Sequence, residues 1–179
     1  MELVVATAPV AVAELTAGEL ARLPGGLRRH DWLLGRAALK ALLGIADTSS
    51  VAFPNRTVSL THSAGVAVAA GCDGPQAGLG VDLEGWQKID ARTARFYLHA
   101  HEQGDLLRLW TVKEALFKAT PDNATAVFLD YEVDDPHAVA GGARDRHGRT
   151  FEYESRRRPE GWLTLATSLG GWADGVLLR

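Results

Sequence analysis

The sequence predicts an α+β fold built from two similar lobes in one chain. Helical periodicity marks two segments, near residues 27–43 and 101–119, and runs of alternating or continuous apolar residues typical of strands follow each of them. The helix GRAALKALL precedes the strands SLTHSAGVAVAA, and the helix VKEALFKA precedes the strands FEYES and GWLTLAT. This faint repetition suggests two similar α+β lobes, at approximately 1–85 and 86–179 of a single domain over residues 1–179, but it does not carry the fold by itself because helix-then-hairpin units are common.

Composition is that of an ordinary globular protein. The 179 residues, 46% of them hydrophobic, are enough to bury a core. A net charge of −3, from 19 Lys and Arg against 22 Asp and Glu, gives no attraction of the whole protein to nucleic acid or anionic membrane. Neither is expected as a partner, so any anion site has to be local.

The single cysteine and the first residues of the sequence indicate the subcellular location of the protein. Cys72 alone cannot form an internal disulfide, which favours a reducing cytoplasm, and we expect its thiol in the core. Glu2 stands where a signal peptide needs positive charge. No apolar run approaches the ~18 residues of a membrane-spanning helix. The sequence therefore predicts a cytoplasmic protein with no membrane partner.

The first half is predicted to contain an edge strand, two helices and three strands. They are an edge strand within MELVVATAPVAVAEL that leads into a helix, this helix running from Thr16 to about Leu23, a helix from about Leu27 to Leu43, and strands at 57–62, 64–71 and 78–84. Thr16 is a suitable N-cap, and PGG at 24–26 stops the first helix. Gly44 ends the second helix, and turn residues that include CDGP at 72–75 separate the last two strands.

The second half is predicted to contain a helical region followed by strands. The helices lie between residues 88 and 119, in IDARTARFYL and HEQGDLLRLWTVKEALFKA, and the strands lie in AVFLDYEV, RTFEYESR and WLTLATSLG. Pro121 ends the helical region, because proline cannot continue a helix. The basic sequence RRRPEG is predicted to form the turn between the last two strands.

Two carboxylates alternate along the strand at 78–84. In GVDLE, strand periodicity sends Asp82 and Glu84 to one face, with Cα atoms ~6.6 Å apart at ~3.3 Å per residue. Both could share a hard divalent cation such as Mg²⁺, which takes oxygen ligands and often completes its shell with substrate phosphates. The alternative is a half-exposed strand whose polar face carries two acids.

The helix WTVKEALFKA, residues 110–119, carries three charges among apolar residues. Glu114 and Lys118 have the i,i+4 spacing of a surface pair, which stabilises a helix by only ~0.2–0.5 kcal/mol. Lys113 instead falls within the apolar arc, where a cation has to reach solvent along its stem or meet an anion. The segment therefore indicates an anionic ligand, with the ordinary surface pair as the alternative.

Basic residues form a stripe on the second helix. Arg29, Arg36 and Lys40 fall within about 40° on a wheel of 100° per residue, and Arg28 lies nearby. Guanidinium groups match phosphate oxygens in geometry, so the stripe is a candidate phosphate clamp. A solvated basic face is the alternative.

His62-Ser63 stands at the end of a predicted strand. The imidazole could donate an N–H to an anion, or the residue could be structural. The other histidines lack the spacing of zinc ligands. The sequence also contains no Walker A loop, no dinucleotide-binding glycine motif and no hydrolase nucleophile elbow.

Together these segments resemble the 4'-phosphopantetheinyl transferase superfamily. The resemblance lies in GVDLE at 80–84, WTVKEALFKA at 110–119, the preceding His62-Ser63 pair and the helix RRHDWLLGRAALK, and it covers roughly residues 12–167. The length is similar to that of the Sfp-like group, in which a pseudo-two-fold axis relates two lobes of one chain. The resemblance therefore implies the 4'-phosphopantetheinyl transferase fold.

The resemblance also implies a reaction and its site. The 4'-phosphopantetheine arm of coenzyme A would pass to a serine of an apo acyl or peptidyl carrier protein, as in polyketide or nonribosomal peptide biosynthesis, with release of 3',5'-ADP. Asp82, Glu84 and Glu114 would hold Mg²⁺, Glu114 would help deprotonate the serine, and Lys118 would neutralise phosphoryl oxygens. The residues expected to bind coenzyme A are Arg29, Arg36, Lys40, His62, Ser63, Lys113 and Lys118. A monomer is expected.

Two loops depart from the longer members of the family and leave alternatives open. Those members carry a Gly-Lys-Pro loop before the His-Ser pair and a loop with glycine and lysine after the helix, where this chain has VAFPNRTVSL and ATPDNATAV. The first alternative is therefore a non-catalytic module that binds a carrier protein or coenzyme A. The second is a metal-dependent phosphodiester nuclease, although Glu114 and Lys118 have helical spacing and the chain is slightly acidic.

Overall fold

A computed structural model of the protein describes residues 1–73 and 78–168. The helices are α1 (Ala17–Leu20), α2 (Arg28–Leu43), α3 (Ala91–Ala94) and α4 (Leu106–Lys118), and single 3-10 turns lie at Val12–Glu14 and Phe128–Asp130. The strands are β1 (Glu2–Ala6), β2 (Val58–Ser63), β3 (Val66–Gly71), β4 (Leu79–Gly85), β5 (Tyr131–Val133), β6 (Ala140–Asp145), β7 (Thr150–Arg157) and β8 (Gly161–Ser168). Within these ranges, no helix is long and apolar enough to cross a bilayer.

The strands form two antiparallel sheets, ordered β1-β3-β2 and β4-β8-β7-β6-β5. Alternate residues of β3 face opposite sides of the smaller sheet. Ala67 and Ala69 pack against α2, whereas Val66 and Val68 pack against β4 and β8 of the larger sheet. Since α4 covers β4 and β8 on their other face, the core has four layers, helix, sheet, sheet and helix. The α+β prediction is confirmed.

The longest helix, α2, and most strands lie where the sequence predicts them. α2 spans Arg28–Leu43 and ends at Gly44, which has φ 64° and the left-handed conformation that glycine favours. Thr16 caps α1 as predicted, but α1 ends at Leu20. Cys72 is partly buried and packs against the core between the sheets.

The helical region before α4 is shorter than the sequence predicts. IDARTARFYL forms only α3 (Ala91–Ala94), and α4 begins at Leu106. The side chain of Asp105 starts α4 by accepting hydrogen bonds from the N–H groups of Leu107 and Arg108. The preceding HEQG has no regular secondary structure, and the carboxylate of Glu102 is buried.

The C-terminal strands differ from the predictions in two places. The sequence does not predict β6, whose start, Ala140-Gly141-Gly142, lacks the branched and aromatic residues that mark a strand. The last predicted strand forms as β8 through Ser168, and residues 169–170 of that prediction lie outside the described residues, as do residues 74–75 of the predicted turn.

β4, which precedes the predicted lobe boundary at residue 85, pairs with β8 in the larger sheet. The division into two lobes related by a pseudo-two-fold axis stays a prediction.

Gly80 on β4 and Gly78 just before it set how closely α4 approaches the larger sheet. A Cβ added at Gly80 would lie 1.8 Å from the carbonyl oxygen of Ala115, and one at Gly78 would lie 1.8 Å from that of Ala119. Both obstacles are backbone atoms of α4 or its C-cap, which cannot rotate away as a side chain can. The helix therefore lies directly on the strand only because these residues have no side chain.

A buried carboxylate fastens α1 to α2. Glu19 is fully buried, accepts hydrogen bonds from the N–H and hydroxyl of Thr48 at 3.0 and 2.7 Å, and lies 2.9 Å from Lys40 Nζ. Burial acts to raise the pKa of this carboxyl, but the hydrogen bonds from Thr48 and Lys40 prevail and lower its pKa to about 2. Glu19 therefore stabilises the fold as an anion.

We predict that Gly80→Ala lowers the free energy of unfolding by ~3 kcal/mol, because a methyl group cannot fit against the backbone of α4. Urea unfolding measures the change. Gly141→Ala is the matched control: its Cβ would meet only ordinary contacts, the nearest being Tyr153 Oη at 3.6 Å, so its stability should not fall. Equal stability of Gly80→Ala and wild type would contradict the close packing.

We predict that Glu19→Gln destabilises the fold in a pH-dependent way. The pKa of the folded state lies below 4.5, so the stabilisation is complete above pH 4.5 and is lost as the pH falls towards 2. The variant should be less stable than wild type by up to ~3 kcal/mol at neutral pH, and the difference should shrink as the pH falls through this window. Urea unfolding at a series of pH values tests this, and a constant difference would refute it.

Candidate active site

Three carboxylates converge where α4 crosses β4. Asp82 and Glu84 alternate along β4 and Glu114 projects from α4, and each offers one oxygen such that the three atoms lie within 4.8 Å of one another. Asp82 is 2% exposed, and the side chain of Glu114 is 24% exposed. The structure thus brings together the three residues that the sequence analysis names as metal ligands. We call them the acidic cluster.

Among the described residues, the ammonium group of Lys118 faces the acidic cluster. Lys118 Nζ lies 2.7 Å from Asp82 Oδ1 and 3.5 Å from Glu114 Oε2, and it also donates to the carbonyl oxygen of Val81 at 3.2 Å. Glu114 and Lys118 are one helical turn apart, so both can reach the same strand residue. A single lysine does not balance three carboxylates, and the cluster therefore favours an additional cation.

Burial and the charge of Asp82 oppose ionisation of Glu84 and Glu114. Burial, followed by the charge of Asp82, raises the pKa of Glu114 to about 7, although Lys118 acts in the opposite direction. The same two causes raise the pKa of Glu84. A bound cation would offset this repulsion and favour the ionised forms.

The hydrogen bonds around the cluster leave one ligand position open. Asp82 Oδ1 accepts from Lys118 and from the Thr61 hydroxyl, whereas Asp82 Oδ2 is buried and has no hydrogen-bond partner within residues 1–73 and 78–168. Glu84 is held by Trp110 Nε1 at 3.3 Å and by Gln87 Nε2 at 3.1 Å. Buried polar atoms are rarely left unpaired. An oxygen-rich site with an orphaned carboxylate oxygen therefore fits a hard divalent cation.

A cavity of about 590 Å³ opens beside the acidic cluster. The cluster and Lys118 form one wall, and Phe53, Phe117 and Asn123 contribute to the others. The volume lies within the range of small-molecule sites, ~300–1,000 Å³. His62 also lines this cavity.

A second cavity of about 500 Å³ adjoins the first, because His62 lines both. Its lining includes Asp31, but the three arginines Arg22, Arg28 and Arg36 outnumber this carboxylate and make the cavity basic. The Arg36 guanidinium stacks over Trp32 at 5.0 Å and donates from Nη1 to the carbonyl oxygen of Thr48, while its buried Nε has no partner in the described part of the chain. This cavity is suited to an anion.

The structure divides the basic stripe predicted on α2. Arg36 lines the basic cavity, whereas Arg29 is exposed in the first turn of the helix. Lys40 is directed to Glu19 at 2.9 Å, and its binding of a phosphate stays a prediction. The Ser63 hydroxyl accepts from the N–H of Gly85 at 3.0 Å and so faces β4.

Lys113 does not face either cavity. Its ammonium is fully buried, lies 2.7 Å from both carboxylate oxygens of Glu102 and donates to the carbonyl oxygen of Tyr131. Burial lowers the pKa of Lys113, while Glu102 acts to raise it. The anion that meets this cation in the structure is Glu102 of the chain itself, and a contact of Lys113 with phosphates stays a prediction.

Several residues of the site were not identified from the sequence. Thr61, Gln87 and Trp110 orient the carboxylates, Arg22 contributes to the basic cavity, and Glu102 neutralises Lys113. Arg28 was noted only as a neighbour of the stripe. The clustering of Arg22 with Arg28, six residues apart across the PGG turn, is the one sequence signal that could have indicated the basic cavity.

We predict that Lys113→Met costs ~3–5 kcal/mol of stability, because it leaves Glu102 buried without its cation. The double variant Lys113→Met/Glu102→Gln should recover part of this loss. Chemical denaturation of the two single variants and the double variant measures the coupling. A stable Lys113→Met protein with weakened coenzyme A binding would instead support a role of Lys113 in ligand binding.

Comparison with known proteins identifies the family. A family model described as the 4'-phosphopantetheinyl transferase superfamily matches residues 78–167, a segment that runs from β4 to β8 and contains Lys118. A search of curated proteins finds no match. The matched segment spans half of the chain and holds the whole acidic cluster, and the protein therefore belongs to the 4'-phosphopantetheinyl transferase superfamily.

Proposed function

We propose that this protein transfers the 4'-phosphopantetheine group of coenzyme A to a serine of an apo acyl or peptidyl carrier protein and releases 3',5'-ADP. Membership of the superfamily supports this class of reaction. The observation that carries the proposal is the convergence of Asp82, Glu84 and Glu114 beside a cavity large enough for part of coenzyme A. We further propose that it works as a cytoplasmic monomer of the Sfp-like group, with lobes at 1–85 and 86–179.

Asp82, Glu84 and Glu114 would hold a Mg²⁺ ion. When bound, the ion supplies positive charge that stabilises the pyrophosphate oxygens as the bond between the phosphoryl groups breaks. The unpaired Oδ2 of Asp82 supports its assignment as a ligand. Trp110 and Gln87 support that of Glu84, because their hydrogen bonds fix its carboxylate.

The chain's own groups would guide the transfer. The serine oxygen forms a bond to the phosphorus that carries the pantetheine, and the bond from that phosphorus to the bridging oxygen breaks, so that the bridging oxygen leaves with 3',5'-ADP. A carboxylate oxygen of Glu114 accepts the serine proton, directly or through a water. Lys118 Nζ neutralises phosphoryl oxygens from its place beside Asp82.

The basic cavity would bind the 3'-phosphate of coenzyme A. Arg36, whose Nε lacks a partner in the described residues, and His62 are the predicted ligands that line it, and Arg22 and Arg28 add positive charge. Guanidinium forks suit a phosphate dianion. Because His62 borders both cavities, a ligand in the basic cavity can extend towards the acidic cluster.

Intact-protein mass spectrometry tests the proposed reaction. A panel of apo carrier proteins incubated with coenzyme A and Mg²⁺ should include at least one that gains one phosphopantetheine mass, and EDTA should prevent the gain. No gain on any carrier, from folded protein that binds coenzyme A, would instead favour a non-catalytic binding module.

Glu114→Gln tests the role of the acidic cluster. We predict that it folds but loses at least ~100-fold in transfer rate, because the amide keeps the shape and removes the charge that the cation and the serine proton require. Glu132→Gln is the matched control, since the Glu132 side chain lies on β5 and is 49% exposed. Activity of Glu114→Gln close to that of Glu132→Gln would refute the assignment.

A further inference from the structure

Side chains of β2 supply the hydrogen bonds that the edge of the larger sheet lacks. β4 pairs with β8 on one side only. On its other side, three of its N–H groups donate to hydroxyls of alternate β2 residues: Val81 to Ser59 at 2.9 Å, Leu83 to Thr61 at 3.2 Å and Gly85 to Ser63 at 3.0 Å. We call Ser59, Thr61 and Ser63 the hydroxyl ladder.

Thr61 has a second contact, with the acidic cluster. Its hydroxyl accepts from the Leu83 N–H and donates to Asp82 Oδ1 at 3.1 Å. Thr61 is 6% exposed and Asp82 is 2% exposed, so water does not readily replace this bond. The Thr61 oxygen therefore accepts from the β4 backbone, and the hydroxyl hydrogen is directed to the Asp82 carboxylate.

The Thr61 bond decides which Asp82 oxygen is available. Lys118 and Thr61 both donate to Oδ1, which leaves Oδ2 without a donor among the described residues. Lys118 is a long, flexible side chain that is 27% exposed, whereas Thr61 is short, branched at Cβ and restricted in χ1. Thr61 is therefore the more rigid of the two donors.

We propose that Thr61 is a positioning residue for the metal site: its hydroxyl, fixed by the β4 backbone, holds Asp82 so that Oδ2 stays free for the cation. The inference rests on the proposed function, in which the acidic cluster binds a divalent cation. Groups that orient metal ligands typically change affinity or activity 10–100-fold when removed, ~10-fold at the least. Ser59, with the same kind of bond to the strand, provides the comparison.

Binding of Mn²⁺ to the full-length protein without substrate tests the inference, by calorimetry or electron paramagnetic resonance. We expect Thr61→Val, which removes the hydroxyl at nearly constant volume, to weaken Mn²⁺ binding by at least ~10-fold. Thr61→Ser should keep most of the affinity because it keeps the hydroxyl. Ser59→Ala should lose stability in thermal unfolding, as Thr61→Val does, but bind Mn²⁺ like the wild type.

Two results would overturn the role of Thr61 alone: wild-type Mn²⁺ affinity in Thr61→Val, or equal weakening in Ser59→Ala, which would trace the effect to the strand rather than to Asp82. Absence of Mn²⁺ binding by the wild-type protein would count against the metal site of the proposed function as well. If Thr61→Val does not fold, Thr61→Ala takes its place, with the same expected loss.

Discussion

The contact of α4 with the backbone of β4 over Gly80 is the constraint on which the rest of the site depends. Asp82 lies two residues further along the strand, and Glu114 and Lys118 reach it only because carbonyl oxygens of the helix occupy the space of the missing Cβ. A wider separation of α4 from β4 would move Glu114 away from Asp82. Gly80 therefore brings the residues of the acidic cluster together by allowing close packing of α4 on β4.

The two lysines of α4 show how differently one helix can use the same side chain. Lys113 is enclosed with Glu102 at 0% exposure, where a charge is tolerated only with its partner. Lys118 keeps 27% exposure and faces an excess of carboxylates. The pair of Lys113 with Glu102 stabilises the packing of α4 against the preceding loop and β5. The carboxylates around Lys118 keep an unbalanced negative charge that a bound cation can neutralise. Stability and chemistry are thus separated onto opposite sides of the helix.

Local patterns in the sequence were sufficient for some of these features and insufficient for others. The course of β4 and α4 and the three carboxylates follow from periodicity and from the family motifs, because both are properties of short segments. Three other contacts were not predicted. They are the pair of Lys113 with Glu102, the pair of Lys40 with Glu19 and the hydrogen bond from Thr61 to Asp82, and they join residues that are 11, 21 and 21 positions apart. Such contacts depend on how the layers stack, and neither a helical wheel nor the alternation of residues along a strand predicts that stacking. β6 was missed for the opposite reason, since its glycines give no local signal.

The hydroxyl ladder also has a consequence for association. An edge strand with unsatisfied N–H groups is a template on which a strand of another molecule can pair, and proteins commonly block such edges. Here side chains, rather than another backbone, satisfy the N–H groups of Val81, Leu83 and Gly85. The larger sheet therefore ends at β4, whose outer edge is covered by side chains of β2 and does not pair with the β2 backbone, and this edge is protected against aggregation while the carboxylates remain open to a ligand.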